Sequence, residues 1–171
     1  MRLRIAIIIA QKLFQRSLFR DTTRGANQHG AGQFNNKSVK EDINMKGKQK
    51  FYICNHCGNL VGLIKDKGVP LVCCGESMSE LVPNTVEAST EKHLPAVTVA
   101  GDGINVQVGS VLHPMEEAHN IMFVYVETEH GGQRKCLDVG SDPVASFVFK
   151  DDKPIAVYAY CNLHGLWKTE I

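Results

Sequence analysis

The 171-residue sequence has no long apolar segment and almost no net charge. Its apolar runs, such as Ile5 to Ala10, are no longer than about seven residues, whereas a membrane-spanning helix needs about 20. No membrane segment is therefore expected. Aromatic residues make up 7% of the chain, and no internal repeat is visible. Residues 45–171 contain eleven Lys and Arg against fifteen Asp and Glu, which argues against nucleic acid as a partner because phosphate contacts need a basic face.

The first 44 residues differ in composition from the rest of the chain. They contain eight Lys and Arg against three Asp and Glu, and residues 22–38 are rich in Gly, Asn, Gln and Thr. Such a composition predicts disorder. A basic start is also found in targeting segments, but no small-residue cleavage site follows the short apolar run here. The favoured interpretation is that residues 1–44 are a disordered extension or lie outside the native protein, which would then start at Met45.

The remaining sequence indicates two small units joined by a linker. Residues 45–80 are too few to bury a core without a metal or a partner chain, and residues 81–92 form the linker. In residues 93–171, Ile104–Val108 alternates like a half-buried strand. Ile121–Val126 is a continuous apolar run, typical of a strand covered on both faces. About seven short strands without a helical pattern predict an all-β, immunoglobulin-like sandwich.

Four cysteines of the first unit have the spacing of a metal site. Cys54 and Cys57 form a CxxC knuckle, and Cys73-Cys74 follows within the same short unit. Adjacent side chains diverge, so a distorted tetrahedron is expected. Tetrahedral thiolate coordination fits zinc and iron equally, and the spacing leaves both open. Cysteines that bind metal rather than form disulfides favour a reducing compartment, and we expect the cytoplasm.

The second half of the chain contains a larger set of candidate ligands. They are His93, His113, His119, Cys161 and His164. A lone histidine in a β protein is more often a surface residue than a ligand. Here, however, four of the five form two closely spaced pairs, and both pairs fall in predicted loops. Four imidazoles and a thiolate exceed the usual four ligands of zinc and suit a five-coordinate, redox-active iron with one open position.

Two charged residues precede His93 in the sequence. Ferrous iron with one thiolate and four neutral imidazoles has a net charge of +1, which attracts a small anion, and Lys92 adds positive charge beside it. Glu91 could occupy the open position when no substrate is bound. The alternative is that Glu91 and Lys92 are an ordinary solvated pair.

Five motifs together carry a resemblance to a known family. They are Tyr52-x-Cys54-x-x-Cys57-Gly58-Asn59, Leu71-Val72-Cys73-Cys74-Gly75-Glu76-x-Met78, Glu91-Lys92-His93, Gly109-Ser110-Val111-x-His113-Pro114-Met115-Glu116-Glu117-x-His119, and Cys161-Asn162-Leu163-His164-Gly165. From about Lys50 to its end, the chain resembles desulfoferrodoxin, the two-iron form of superoxide reductase. The motifs are specific in combination, although CxxC alone is not.

The resemblance implies a fold, two cofactors and a reaction. The first unit is expected to be desulforedoxin-like and to hold iron, rather than zinc, through its four cysteines. The sandwich is expected to hold the catalytic iron with its four histidines equatorial and Cys161 axial. Glu91 matches the residue that ligates the oxidised iron, and Lys92 matches the one that draws in superoxide and helps protonation. Members reduce superoxide to hydrogen peroxide with electrons from a small donor such as rubredoxin, and the two-iron members are typically homodimers.

Two residues of the second unit lie outside this pattern. Asn120 stands where an aromatic residue is common in the family, which predicts looser packing beside His119. Cys136 is predicted to lie in a strand and to pack as a small hydrophobe.

Three other functions remain compatible with the residues. The four-cysteine unit alone could carry electrons, with the histidine site structural. Both sites could store or hold zinc, and the protein would then be colourless. Superoxide dismutation also requires oxidation of superoxide, which an axial thiolate disfavours because it stabilises ferric iron.

Overall fold

The computed structural model describes residues 49–171, which form twelve β-strands and one helical turn. The extension predicted for residues 1–44 lies outside the described residues. The elements are β1 (Lys50–Ile53), β2 (Leu60–Leu63), β3 (Val72–Cys73), β4 (Glu76–Ser77), β5 (Ser79–Glu80), α1 (Thr90–His93), β6 (Pro95–Ala100), β7 (Gly103–Val108), β8 (Ile121–Thr128), β9 (Gly132–Cys136), β10 (Val144–Val148), β11 (Pro154–Cys161) and β12 (Gly165–Glu170).

The first five strands form two small antiparallel sheets. Strand β1 pairs with β2 and β5, and β3 pairs with β4. The connection between β1 and β2 turns at Gly58, whose φ of +75° suits a residue without a Cβ. The Gly58 amide donates to the Cys54 carbonyl at 2.9 Å. The sequence therefore folds locally into the knuckle expected around Cys54 and Cys57.

The last seven strands form a sandwich of a three-stranded and a four-stranded sheet. Their strand orders are β10-β7-β6 and β12-β11-β8-β9, and all pairs are antiparallel. The space between the sheets is filled by alternate residues of each strand. These are mainly Ile104, Val106, Val108, Ile121, Val124, Val126, Ala145, Phe147, Val157, Ala159 and Cys161. The core thus runs directly to Cys161 at the end of β11.

The outer face of the four-stranded sheet is aromatic and covered by the first unit. Phe51 of β1 packs against Phe123 and Tyr158, with ring centroids 5.8 and 5.6 Å apart. Tyr160 stacks on Phe123 at 5.6 Å. Strand β8 is therefore buried on both faces over most of its length, as its continuous apolar run predicts.

A buried polar network joins the start of the described chain to the same sheet. The carboxylate of Glu127 accepts a hydrogen bond from the Tyr158 hydroxyl at 2.8 Å and another from the Gln49 amide at 3.1 Å. The Tyr125 hydroxyl donates to Oε1 of Gln49 at 3.1 Å. Burial and the Glu127 carboxylate raise the pKa of Tyr158, so this hydroxyl remains a donor at physiological pH.

The predicted all-β class, with a desulforedoxin-like unit followed by a sandwich, is confirmed. Two details differ from the sequence pattern. One helical turn, α1, precedes the sandwich. Cys136 lies in a strand, as predicted, but the prediction that it packs as a small hydrophobe is wrong, because its side chain is exposed on β9, an edge strand of its sheet. No helix in residues 49–171 is long and apolar enough to cross a membrane.

Candidate metal centres

Five side chains from separate parts of the sandwich converge on one point. Their potential ligand atoms all lie within 4.8 Å of one another. The set consists of His93, His113, His119, Cys161 and His164. Two element ends and two connections supply them: the end of α1, the end of β11, the loop between β7 and β8 and the turn before β12. A rigid sandwich thus presents these ligands from its loops.

The four imidazoles form a closed square around this point. Centroids of neighbouring rings are 4.5 to 4.9 Å apart, and neighbouring ring planes cross at 75° to 83°. Across the square, the centroids of His93 and His119 are 6.1 Å apart. The Sγ atom of Cys161 lies 3.5 Å from Nδ1 of His164, so the thiol faces the same point as the imidazole nitrogens.

Backbone carbonyls fix the orientation of two of the rings. Nδ1 of His93 lies 2.7 Å from the Ser89 carbonyl, and Nδ1 of His113 lies 2.6 Å from the Pro114 carbonyl. A carbonyl can only accept, so Nδ1 donates and Nε2 keeps its lone pair. This is the usual arrangement around a metal-ligating histidine. Nε2 of His113 and Nε2 of His119 are buried without a hydrogen-bond partner.

Burial keeps three of the imidazoles in the form that binds metal. It lowers the pKa of His113 to about 4 and also lowers the pKa values of His93 and His119. These three imidazoles are therefore neutral at physiological pH, as metal binding requires. Burial raises the pKa of Cys161, whereas the backbone N–H groups of His164 and Leu163 lower it. Those two donors point at the sulfur and stabilise it as a thiolate.

Glu91 and Lys92 both lie on α1, and both are exposed. The loop after β7 holds this turn in place. The Val111 amide and the Ser110 hydroxyl each donate to the Glu91 carbonyl at 3.2 Å, and the Glu91 carboxylate accepts from Ser89. Gly109 has a φ of +84°, and a Cβ there would overlap the Lys92 carbonyl. This glycine therefore lets the loop pack closely against the turn that bears both charges.

The four cysteines of the first unit form a second group. Their sulfurs lie within 4.8 Å of one another, with Cys57 Sγ 3.6 Å and Cys74 Sγ 3.9 Å from Cys73 Sγ. Metal–sulfur bonds of about 2.3 Å in a tetrahedron place sulfurs about 3.8 Å apart. The vicinal pair achieves this because Cys74 has a left-handed φ of +53°, which turns the backbone between the two side chains.

Backbone hydrogen bonds in the knuckle favour the ionised, metal-binding form of one of these thiols. The backbone N–H groups of Cys57 and His56 lower the pKa of Cys54 to about 6. The side chain of Asn59 donates to Cys73 Sγ at 3.6 Å. In contrast, the hydrogen bond with Cys57 raises the pKa of Cys74 to about 12. Four thiols this close do not ionise together in solution, and a cation among them removes their mutual repulsion.

Both groups fit a bound metal. In the sandwich, two buried imidazole nitrogens without partners point toward a shared centre, and a buried sulfur completes the set. In the first unit, all four sulfurs lie within 4.8 Å of one another, and two of their separations, 3.6 and 3.9 Å, are close to the value for tetrahedral coordination. The structure therefore brings together all nine residues predicted as ligands.

The same two groups are supported by similarity to known proteins. The family described as desulfoferrodoxin matches residues 85–170, and the desulfoferrodoxin N-terminal domain matches residues 47–81. The chain is 42% identical to desulfoferrodoxin from Nitratidesulfovibrio vulgaris, over 74% of this chain and 99% of that protein. It is 44% identical to desulfoferrodoxin from Syntrophotalea carbinolica, with the same coverage. The chain belongs to the desulfoferrodoxin family.

A solved structure agrees with this assignment. The superoxide reductase from Treponema pallidum superposes with a TM-score of 0.63 and 35% identity, over 72% of this chain and all of that one. The four-cysteine group and the four-histidine, one-cysteine group correspond to the two iron centres of a desulfoferrodoxin. The choice between zinc and iron, which the cysteine spacing leaves open, is thus decided in favour of iron.

Several residues that support the desulfoferrodoxin catalytic site have no obvious sequence signal. The Trp167 ring stacks on His93 at 4.8 Å, and its Nε1 donates to the His164 carbonyl at 3.1 Å. Ser89 and Pro114 act through backbone carbonyls, which no side-chain pattern reveals. The position of the one tryptophan, three residues after His164, is the signal that could have drawn attention to it.

Proposed function

We propose that this protein is a superoxide reductase, which converts one superoxide, one electron and two protons into one hydrogen peroxide. The observation that carries the proposal is the convergence of a buried thiol with four imidazoles beside the exposed Lys92. Iron bound by these ligands would supply the electron. Five protein ligands leave one position of a six-coordinate ion for a small anion. The solved relative named superoxide reductase supports the same reaction.

Other residues of this chain attract the substrate, occupy the open position and orient the ligands. Lys92 raises the local concentration of an anionic substrate, because its ammonium group stands in solvent one residue before His93. Glu91 is assigned to the open position when substrate is absent. The carbonyls of Ser89 and Pro114 keep His93 and His113 turned so that Nε2 faces the centre. The N–H groups directed at Cys161 hold its charge in a buried position.

The proposal extends to the setting in which the protein works. We assign it a rubredoxin-like electron donor, a cytoplasmic location and a homodimeric state. All six cysteines are free of disulfides, which favours a reducing compartment. The first unit leaves several large apolar side chains exposed, which is typical of a surface that pairs with another chain. They are Val61, Ile64, Val69 and Val72.

Product stoichiometry tests the reaction directly. Reduced, iron-loaded protein mixed with superoxide without oxygen is expected to give one hydrogen peroxide per superoxide and no dioxygen. A dismutase would give one hydrogen peroxide and one dioxygen for every two superoxide ions. Dioxygen release would overturn the proposal, and so would protein that leaves superoxide to decay at its spontaneous rate.

Replacement of Lys92 tests electrostatic attraction of the substrate. For Lys92→Ala, the second-order rate constant with superoxide is expected to fall about tenfold at low ionic strength and to depend less steeply on salt. The measurement is the decay of superoxide after pulse radiolysis at several salt concentrations. Lys150→Ala removes the same charge from an exposed site outside α1 and should change neither quantity. An unaltered rate and salt slope for Lys92→Ala would remove Lys92 from this role.

A further inference from the structure

The two loops that carry His119 and Cys161 are joined by a pair of asparagines. Asn120 follows His119, and Asn162 follows Cys161. Neither is among the nine metal ligands. The expectation of loose packing beside His119 is wrong, because Asn120 is only 9% exposed and its backbone amide, its carbonyl and its Nδ2 are all hydrogen-bonded.

The hydrogen bonds between the loops are reciprocal. The Asn120 amide donates to Oδ1 of Asn162 at 2.9 Å, and the Asn162 amide donates to the Asn120 carbonyl at 3.1 Å. Nδ2 of Asn162 also donates to the Ala118 carbonyl at 3.0 Å. Three hydrogen bonds thus connect backbone segments that are 42 residues apart in sequence.

The side chain of Asn120 also closes the turn that precedes it. Its Nδ2 donates to the Glu116 carbonyl at 2.9 Å and to the Glu117 carbonyl at 3.3 Å. Within the same turn, the backbones of Glu116 and His119 exchange hydrogen bonds of 2.9 and 3.0 Å. A side chain able to donate twice is needed here, since both partners are carbonyls.

His119 depends on its backbone more than His93 and His113 do. His93 and His113 are each fixed by a hydrogen bond from Nδ1 to a backbone carbonyl. Within residues 49–171, the structure shows no such bond for the His119 ring, whose recorded contacts are with neighbouring imidazoles. The direction of its Nε2 is therefore set by the turn that carries it.

We propose that Asn120 is a positioning residue, which acts with Asn162 to hold His119 in register with Cys161 and His164. We call the two residues and their five hydrogen bonds the asparagine clasp. The clasp preorganises the site before metal arrives, because it fixes the separation of the two loops that supply four of the five ligands. Any effect of the clasp on the rate of superoxide reduction rests on the proposed function, whereas its effect on iron retention does not.

Iron retention tests the clasp without reference to superoxide. The readout is the rate at which full-length, iron-loaded protein loses iron from the histidine–cysteine centre to a chelator, followed by the absorbance of that centre. Loss of an outer-shell partner costs about 10–100-fold in metal affinity. Asn120→Ala and Asn162→Ala are each expected to speed release at least tenfold. The double variant should add less than the product of the single effects, because both residues belong to one unit.

Asn120→Asp separates the hydrogen-bond donors from side-chain size. Aspartate has nearly the shape of asparagine but loses both Nδ2 hydrogens, so it is expected to release iron at least as fast as Asn120→Ala. Asn105→Ala removes an exposed asparagine whose side chain accepts a hydrogen bond from Ser146 and should behave as the unaltered protein. Release within twofold of the unaltered protein for Asn120→Ala would overturn the proposal. Wild-type retention by Asn120→Asp would do the same.

Hydrogen exchange provides a second readout for any variant that retains too little iron to follow. In metal-free, full-length protein, amides of residues 116–120 should exchange faster in both single variants, while those of β7 stay protected. Unchanged exchange in residues 116–120 would contradict the clasp. A protein that fails to reduce superoxide, yet shows faster iron release in these variants, would refute the proposed function and retain the clasp.

Discussion

Cys161→Ser is expected to lower the rate of superoxide reduction more than any other single change in the chain. Cys161 is fully buried, and its sulfur lies 3.5 Å from Nδ1 of His164. Serine has a similar size, but its hydroxyl stays protonated at neutral pH and cannot replace an anionic ligand. Changes to residues that only support a metal ligand already lower metal affinity or activity about 10–100-fold. Removal of the ligand itself should therefore lower the second-order rate constant by more than about 100-fold.

The measurement has to separate lost chemistry from lost metal. Superoxide decay after pulse radiolysis gives the rate constant, and elemental analysis gives the iron content of the same sample. Thiolate-to-iron absorption from the histidine–cysteine centre should disappear, while the bands of the four-cysteine centre remain. Cys136→Ser is the matched control, because Cys136 is exposed on β9 and surface changes rarely alter stability by more than about 0.5 kcal/mol. Wild-type activity in iron-loaded Cys161→Ser would show that the thiolate is dispensable.

Trp167→Ala is expected to combine a large loss of unfolding free energy with a disturbance of the catalytic centre. The indole is 1% exposed, stacks on His93 and donates to the His164 carbonyl. Truncation of a buried aromatic residue to alanine costs about 3–5 kcal/mol of unfolding free energy. Without its neighbour, the His93 ring also loses one of the surfaces that fix its plane. Iron retention should therefore weaken together with stability.

Phe147→Ala provides the comparison for this second effect. Phe147 is equally buried, but it lies in the core between the sheets rather than against a ligand. Urea unfolding of both variants should show similar losses, whereas chelator competition should show faster iron release for Trp167→Ala only. Trp167→Phe should keep a ring against His93 and lose mainly the indole hydrogen bond, worth about 1 kcal/mol. Equal iron retention in Trp167→Ala and Phe147→Ala would mean that the indole supports the fold alone.

Most members of the two candidate metal clusters could be predicted because they occur in closely spaced pairs. Cys54 and Cys57 share a knuckle, and His113 and His119 share a loop. The all-β class was also predictable, since β7 and β8 have clear alternating or continuous apolar patterns. The sulfurs of Cys73 and Cys74 were expected to diverge. The structure brings them within 3.9 Å through a left-handed φ, which sequence patterns do not specify.

Other parts depend on contacts between distant residues and could not be predicted. Strand β6 begins at a proline, and β12 directly follows the His164 turn, so neither stands out from its local pattern. Each is defined by pairing with a neighbouring strand. The bonds between Asn120 and Asn162 likewise need the folded arrangement of two loops. An asparagine that replaces an aromatic residue looks like a loss of packing until its hydrogen-bond partners are known.

The aromatic outer face of the four-stranded sheet limits how this protein can be shortened. A version starting near residue 85 would keep every ligand of the histidine–cysteine centre. It would also leave Phe123, Tyr158 and Tyr160 facing water, since Phe51 and its neighbours now shield them. Glu127 would lose the Gln49 amide at the same time. A one-iron version of this chain therefore has to be resurfaced along β8 and β11, because simple truncation would produce an aggregating fragment in place of a minimal enzyme.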